Sequence, residues 1–227
     1  MSGKTALPVA LLVVVFLTVS PAVKALAQNT CPGCSEPAKV VHPNGFGPHS
    51  YARWQPKTGL ADSGGTNDFS MLLVHLTPPT ITATARAVVA IEGFDGEPVG
   101  NITDLHFYVR TTDPNGAATT ECTATSPRFS IRYRVPSVPD LFLEARCGVV
   151  AEMLPGDTIS NGATTYQRRT VNPVLLAPIS SAIIVSLAIL FDDPVQPSSH
   201  IDNISVSDAN VGCAPCTWTR PADNGGN

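Results

Sequence analysis

From residue 69 onward, short runs of β-branched and aromatic residues alternate along the chain with Pro, Gly, Asp and Asn. Runs of this composition, separated by turn residues, are typical of the strands of a sandwich or barrel. No segment shows the apolar spacing of a long amphipathic helix. The pattern predicts eight strands, at residues 69–76, 85–93, 105–111, 129–135, 141–147, 165–171, 182–191 and 201–207.

The predicted strand at residues 105–111 indicates which side of a sheet is buried. Apolar side chains occupy every second position, Leu105, Phe107 and Val109, and more polar ones stand between them. Successive side chains of a strand point to opposite faces, so one face lies on a core and the other meets solvent. Two such sheets packed together make an all-β fold, and about eight strands favour an antiparallel jelly-roll sandwich.

Residues 174–191 carry no charge and offer a rival interpretation as a marginal transmembrane helix. The double arginine before this segment, at residues 168–169, and the double aspartate after it, at residues 192–193, oppose the orientation that an exported chain would take. Pro178 and the β-branched content suit a strand better than a helix. We therefore expect a central strand here and no stable membrane insertion.

The first 27 residues have the organisation of a secretory signal peptide. Lys4 precedes a nearly uninterrupted apolar run at residues 7–19, and Ala25 and Ala27 stand where a signal peptidase requires small residues. The run is shorter than the roughly 20 apolar residues of a membrane span. Cleavage after Ala27 is expected, and the product would be secreted, with the periplasm or the cell surface as alternatives.

Composition divides the rest of the chain into three parts. Residues 28–68 are rich in Pro, Gly, Asn and Ser, which predicts an irregular arm. Residues 69–211 contain the predicted strands and form the β-sandwich domain, and residues 212–227 are predicted to be a flexible tail that contains cysteine. About 200 residues suffice for one well-buried domain and are too few for two large ones.

The charge of the mature chain argues against polyanionic partners. The full sequence has 14 basic and 18 acidic residues. Loss of Lys4 and Lys24 with the signal peptide leaves 12 basic residues against 18 acidic ones, a net charge of −6. Nucleic acids and anionic membranes attract the opposite sign, so neither is an expected partner.

Six cysteines remain after cleavage, and an oxidising compartment favours disulfides. Cys122 and Cys147 lie inside the predicted sandwich, where free thiols would be open to oxidation. We predict a disulfide that joins the segment before the strand at residues 129–135 to the end of the strand at residues 141–147. Closing this loop stabilises the fold by about 3 kcal/mol.

Two Cys-x-x-Cys pairs flank the sandwich, Cys31 with Cys34 and Cys213 with Cys216. Disulfides that fasten the arm and the tail to the domain are the favoured interpretation. Zinc held by four thiolates is an alternative, and so is a redox role, although redox motifs of this kind need a βαβ setting that this chain lacks. A second set of zinc ligands would be Cys31, Cys34, His42 and His49.

Residues 190–193, followed by a loop and by residues 200–206 (HIDNISV), resemble the last two strands of bacterial jelly-roll domains. This wide group includes carbohydrate-binding modules and galactose-binding-like domains. Residues 122–129 and 142–147 are similar to a group of secreted bacterial proteins of unassigned function. The resemblance covers roughly residues 69–207 and implies a jelly roll, and it specifies the fold better than the function.

A calcium site beside the last strand is implied by the same resemblance. Asp202 is in register with Ile204 and Val206, which would point its carboxylate toward the core. A carboxylate there needs a cation or several hydrogen bonds to offset its desolvation. Similar modules hold calcium with help from the start of the first strand, which here means Asp68 or Asn67. The alternative is an Asp that caps backbone amides.

Catalysis finds little support in the sequence. The chain has no Gly-x-Ser-x-Gly elbow, no His-Glu-x-x-His helix and no phosphate-binding glycine loop, and its five histidines are scattered. Carboxylates could pair in space as glycosidase acids. The carboxylates considered for this role are Glu92, Asp95, Glu144 and Glu152.

The expected function is therefore that of a secreted, non-catalytic binding or surface module, with extracellular carbohydrate or other surface proteins as partners. A polysaccharide hydrolase and a self-assembling structural protein are the alternatives. Sugar binding needs exposed aromatic faces beside polar groups. The aromatic candidates are Trp54, Trp218, Tyr108 and Tyr133.

Overall fold

The computed structural model of the chain describes residues 39–62, 67–76, 85–209 and 216–219. Two antiparallel sheets pack face to face in this part of the chain, which confirms the predicted all-β sandwich. The described residues contain twelve strands, more than the eight predicted. They are β1 Val40–Phe46, β2 Ser50–Gln55, β3 Ser70–His75, β4 Arg86–Glu92, β5 Ile102–Thr112, β6 Arg128–Arg134, β7 Leu141–Arg146, β8 Met153–Asn161, β9 Thr164–Val171, β10 Ile183–Phe191, β11 Ser198–Asp208 and β12 Cys216–Trp218.

A five-stranded sheet has the order β1-β4-β10-β6-β7, and a seven-stranded sheet has the order β2-β3-β11-β5-β9-β8 with β12 also paired to β11. Strand β4 contacts β2 and β3 across the sandwich, so β6 and β7 face the β5–β9 side of the other sheet. Phe107 of β5 and Phe129 of β6 meet in the core, with ring centroids 5.2 Å apart. The alternation predicted for β5 holds, because Leu105, Phe107 and Val109 are all buried in the core.

All eight predicted strands are present, and the reason is identifiable for three of the four that were missed, β1, β8 and β12. Strands β1 and β8 are edge strands that contain Pro43 and Pro155, and proline is tolerated at an edge because no neighbour needs its missing N–H. The pairing of β8 also shifts register between Pro155 and Thr158, where the sequence suggests a turn. Strand β12 has only three residues, too few for a pattern.

These strands change the predicted boundaries of the domain. The prediction that residues 28–68 form an irregular arm is wrong for β1 and β2, which pair with β4 and β3. Part of the predicted tail is likewise in the sheet, because β12 pairs with β11 and the Trp218 side chain lies in the core. The sandwich therefore includes residues on both sides of the predicted range 69–211.

The connection from β9 to β10 contains the one-turn helix α1, Pro173–Leu176, followed by a 3₁₀ turn at Ala177–Ile179. The Asn172 side chain caps α1 by accepting from the Val174 amide at 3.1 Å. No helix in the described ranges is long and apolar enough to span a membrane. The apolar segment 174–191 that offered that alternative begins in α1 and the 3₁₀ turn, and its second half forms the central strand β10.

Residues 56–62 and 67–69 lie on the outer side of the seven-stranded sheet, and we call these two described segments the covering loop. Leu60 of this covering loop packs on Tyr108 and Tyr166. The Tyr166 hydroxyl donates to the carbonyl of Thr58. The covering loop therefore buries a face of the sheet that alternation alone assigns to solvent.

Candidate functional site

The predicted disulfide between Cys122 and Cys147 is confirmed, with Cα atoms 5.4 Å apart. Cys216 is also disulfide-bonded, to a partner outside the described residues. Cys31, Cys34 and Cys213 all lie outside those residues. The pairing of the two Cys-x-x-Cys motifs, and the zinc and redox alternatives, therefore stay predictions.

Asp202 is buried, but it does not face the core as predicted. It pairs with Tyr108, whose side chain is on the outer face of the seven-stranded sheet. The register shifts between Asp202 and Ser205, so the alternation that places Ile204 in the core does not extend back to Asp202. The Asp202 carboxylate consequently points under the covering loop.

Two backbone amides bind this carboxylate. The Leu60 N–H donates to Asp202 Oδ2 at 2.6 Å, and the Asn203 N–H donates to Oδ1 at 2.7 Å. Burial raises the pKa of Asp202 to about 8 despite these bonds, and the negative charges of Asp62 and Asp68 act in the same direction. The two amide contacts agree with the alternative to a calcium site, in which the Asp202 carboxylate caps backbone amides.

Asp68, the other predicted calcium ligand, lies at the end of the covering loop near Asp202. The Asn161 side-chain amide donates to Asp68 Oδ2 and to the carbonyl of Gly59, both at 3.0 Å. Among the residues that the structure describes, no group of three or more His, Cys, Asp or Glu side chains is arranged to hold a metal ion. Calcium binding at Asp68 and Asp202 stays a prediction.

The four aromatic side chains considered as candidates for sugar binding are used for packing. Tyr108 is buried under Leu60, and Trp218 is 2% exposed within the core. Trp54 and Tyr133 are half-buried against the same core. These four side chains do not form an exposed aromatic platform.

Two other aromatic side chains are exposed on the outward side of the five-stranded sheet, which we call the open face. Phe46 of β1 is 58% exposed and Phe142 of β7 is 65% exposed. Between these edges, Ala90, Ala188 and Ser130 form a row of small side chains across β4, β10 and β6. The open face thus has a floor of small residues and an exposed phenyl ring at each edge strand.

Charged side chains border this floor on the β6 side. Arg128 donates to Asp192 Oδ2 at 2.9 Å, and its Nε lies 3.1 Å from Glu144 Oε2. The hydrogen bonds that Arg128 donates to Asp192 raise the pKa of Arg128. Burial alone would raise the pKa of Asp192, but the bonds and charge of Arg128 outweigh it and hold that pKa below its usual value. Arg128 is therefore held in place by two carboxylates.

Further charges lie beside both phenylalanines. Arg132, which pairs with Phe142, lies 2.7 Å from Asp140 Oδ2, and Arg134 donates to Asp140 Oδ1 at 2.8 Å. These bonds lower the pKa of Asp140. At the other edge, Arg86 Cζ lies 5.9 Å from the ring centroid of Phe46. A guanidinium group that can donate hydrogen bonds therefore lies beside each exposed ring, Arg132 beside Phe142 and Arg86 beside Phe46.

A polar cluster on the seven-stranded sheet resembles part of a catalytic triad. His106 Nδ1 lies 2.6 Å from Asp104 Oδ2, and Arg168 donates to the same oxygen at 3.0 Å. These two partners lower the pKa of Asp104 against the effect of burial. Ser205 is the cross-strand neighbour of His106, but its Oγ lies 3.1 Å from the Thr217 hydroxyl. No hydrogen bond joins Ser205 to His106 in the described structure, so the cluster lacks an activated nucleophile.

The four carboxylates considered as glycosidase acids are not paired with one another. Glu144 and Glu152 form ion pairs with Arg128 and Arg146, and Glu92 Oε2 lies 3.3 Å from His42 Nε2. Asp95 lies in an exposed turn after β4. Glu92 and Glu144 are on the same face, but three strand spacings between β4 and β7 amount to about 14 Å. That exceeds the roughly 5–9.5 Å that glycosidases use.

A cleft of about 370 Å³ opens at one end of the sandwich, beside the β1–β2 turn and the β10–β11 connection. His75 Nδ1 in this cleft lies 3.2 Å from Ser50 Oγ. The carboxylate of Asp193 accepts from the amides of Val195 and Gln196, both at 2.8 Å. The lining residues are His49, His75, Leu76, Asp193, Pro194, Val195, Gln196 and Pro197.

Comparison with family models, with curated proteins and with solved structures yields no match for this chain. The open face, the polar cluster and the end cleft are therefore judged by their own geometry. Of the three, the open face combines exposed aromatic rings with fixed charged groups.

Proposed function

We propose that the chain is a secreted, non-catalytic binding module whose open face binds carbohydrate. The observation that carries the proposal is the exposure of Phe46 and Phe142 at the two edge strands of a face floored by small side chains. Sugar rings present C–H groups that pack on aromatic rings, while their hydroxyls need nearby hydrogen-bonding groups. The open face offers both.

The shape of the open face favours an extended ligand. Its five strands span about 19 Å from β1 to β7 at the usual strand spacing. Phe46 pairs with Arg86 at one end of β4, whereas Phe142 is connected through Arg132 and Ser186 to the other end, so the two rings lie at diagonal corners of the open face. Ala90, Ala188 and Ser130 leave the centre low, so a chain of sugar units can cross the strands diagonally between the two rings. The guanidinium groups of Arg128 and Arg132 are positioned by carboxylates and so lose little freedom when they bind a hydroxyl.

Binding of soluble oligosaccharides and insoluble polysaccharides by the mature chain tests this proposal. We expect Phe142→Ala and Phe46→Ala each to weaken binding roughly five- to tenfold, since an aromatic contact contributes about 1 kcal/mol. Tyr51→Ala is the matched control, because Tyr51 is 38% exposed on the opposite sheet. Equal affinity in the phenylalanine variants, or equal loss in the tyrosine variant, would contradict the proposal.

Light scattering at several concentrations separates carbohydrate binding from self-assembly. Exposed phenylalanines could also join two copies of the chain through their open faces. Sugar binding predicts that the molecular mass is independent of concentration and unaffected by Phe142→Ala. A mass that rises with concentration, and falls when Phe142 is replaced, would favour the structural alternative.

A further inference from the structure

Arg169 points into the space between the two sheets. In the seven-stranded sheet, Phe107 pairs with Arg169 and Val109 pairs with Gln167. Residues directly opposite each other in an antiparallel pair share one face, and Phe107 and Val109 both lie in the core. The side chains of Arg169 and Gln167 are therefore on the inner face of β9, although both are polar.

The sandwich is open where β9 lies. The five-stranded sheet ends at β7, whereas the seven-stranded sheet continues past β9 to β8, whose residues are mostly exposed. Leu141 of β7 pairs with Tyr133, which packs on the core, yet Leu141 is 40% exposed. Pro155, the partner of Arg169 on β8, is exposed as well. We call this gap between β7 and the β8–β9 edge the open corner.

The residue of the five-stranded sheet nearest to the position of Arg169 is small. The core contact of Phe107 with Phe129 marks where β5 and β6 face each other. One strand further out, Arg169 stands next to Phe107 on one sheet and Ala145 stands next to Phe129 on the other. A methyl group thus faces the region into which a long cationic side chain projects.

The guanidinium of Arg169 has no carboxylate partner among the described residues. Its Nη2 donates to Gln167 Oε1 at 2.8 Å, and its Nε is buried without a hydrogen bond from the described protein atoms. Burial lowers the pKa of Arg169. The arginines that do form ion pairs are Arg110, Arg128, Arg132, Arg134, Arg146 and Arg168.

We propose that the open corner binds the carboxylate of a sugar acid, with Arg169 as its partner. A desolvated guanidinium gains most from a planar carboxylate, which it can bind through two parallel hydrogen bonds. The wall of Tyr133 and Leu143 on the five-stranded sheet suits the ring of such a ligand, and Thr158 on β8 offers a hydroxyl. One arginine matches one negative charge, which favours a carboxylate over a phosphate dianion.

Titration of the mature chain with galacturonate and with galactose, followed by NMR or calorimetry, tests this site. The two sugars share a ring and differ in the carboxylate. We expect saturable binding of galacturonate alone, at least tenfold weaker in Arg169→Met and intermediate in Arg169→Lys. Arg53→Met is the matched control, because Arg53 is an exposed arginine on the remote edge strand β2 and should leave binding unchanged.

Thermal unfolding supplies a second measurement. Methionine keeps the length of the arginine side chain and removes an unpaired, desolvated charge, so Arg169→Met should unfold at the same or a higher temperature. A clearly lower unfolding temperature would mean that the guanidinium already has a negatively charged partner within the chain, and would overturn the proposal. Four binding results would also overturn the proposal. Galactose could bind as tightly as galacturonate, or galacturonate could fail to bind. Galacturonate binding could survive Arg169→Met, or inorganic sulfate could bind in place of galacturonate in a manner that depends on Arg169.

The open corner and the open face are tested separately. Phe142→Ala should leave galacturonate binding intact, and Arg169→Met should leave binding of neutral polysaccharide intact. Failure of one site therefore leaves the result at the other unaffected.

Discussion

At the scale of single residues, the pair Arg128 and Asp192 illustrates how the fold uses charge. Asp192 accepts two hydrogen bonds from the guanidinium and a third from Ser126 Oγ at 3.2 Å. The pKa of Asp192 is lowered because these bonds favour its ionised form. A carboxylate whose pKa falls on folding stabilises the protein above its unfolded pKa and loses that effect as the pH falls through its folded pKa.

Asp192→Asn should therefore reduce the free energy of unfolding by about 2 kcal/mol at pH 7. The difference from the wild type should shrink as the pH falls below about 4, because the carboxylate of the unfolded chain takes up a proton there, while the folded carboxylate does so only at lower pH. Urea unfolding at a series of pH values measures it. Asp95→Asn, in an exposed turn, is the control and should change little. A difference that stays constant from pH 7 to pH 3 would contradict the ionic explanation.

At the scale of elements, the Cys122–Cys147 disulfide secures the β6–β7 hairpin. The Cys147 amide donates to the carbonyl of Pro127 at 2.9 Å, and the Gly148 amide donates to the carbonyl of Thr123 at 2.8 Å. These bonds hold the segment before β6 against the end of β7, next to the disulfide. Strand β7 is an edge strand with one neighbouring strand, so the disulfide stabilises the edge of the sheet that has the fewest other contacts.

Replacing both Cys122 and Cys147 by Ala should lower the free energy of unfolding by about 3 kcal/mol, since the crosslink restricts the unfolded chain. Chemical denaturation of the oxidised proteins measures the difference. A reducing agent should destabilise the double variant further, because the Cys216 disulfide remains. An unchanged midpoint in the double variant would show that this bond contributes nothing to stability.

At the scale of the whole molecule, the two sheets have unlike outer sides. The covering loop closes part of the seven-stranded sheet through Leu60, Thr58 and the amide bonds to Asp202. The outer side of the five-stranded sheet keeps Phe46 and Phe142 exposed. Ligand binding is therefore expected on the outer side of the five-stranded sheet, whereas the outer side of the seven-stranded sheet anchors the covering loop.

Calcium binding under the covering loop would strengthen this asymmetry. Asp62 and Asp68 both raise the pKa of Asp202, and a cation would relieve the repulsion among these carboxylates. We expect calcium to raise the unfolding temperature relative to a chelator, and Asp202→Asn to abolish that difference. Identical unfolding temperatures in calcium and chelator would rule out the predicted site.

Much of the fold could be predicted because alternation is a local signal. Strands β3 to β7 and β9 to β11 and the pairing of Cys122 with Cys147 followed from runs of residues and their spacing. The edge strands β1 and β8 could not, because proline and glycine there have the composition of a turn. Only a neighbouring strand shows that such a segment is extended.

The candidate sites were less accessible to such reasoning. Phe142 stands between Leu141 and Leu143, so local pattern does not say which of them faces outward. Asp202 follows the core alternation in sequence, and only the register shift in β11 reverses its direction. From the sequence, Arg169 is expected to be an ordinary solvated arginine, and only its pairing with Phe107 shows that it lies on the inner face.

The sequence by itself determined the class of fold, most of the strands and one disulfide, since each depends on residues close together in the chain or on the number of cysteines available. The tertiary structure alone decided which sheet face is covered, which aromatic rings are exposed and which arginine lies on an inner face without a carboxylate. Those properties depend on contacts between residues far apart in the chain. The physical reason is that burial and charge pairing belong to the packed sandwich, whereas alternation belongs to each strand.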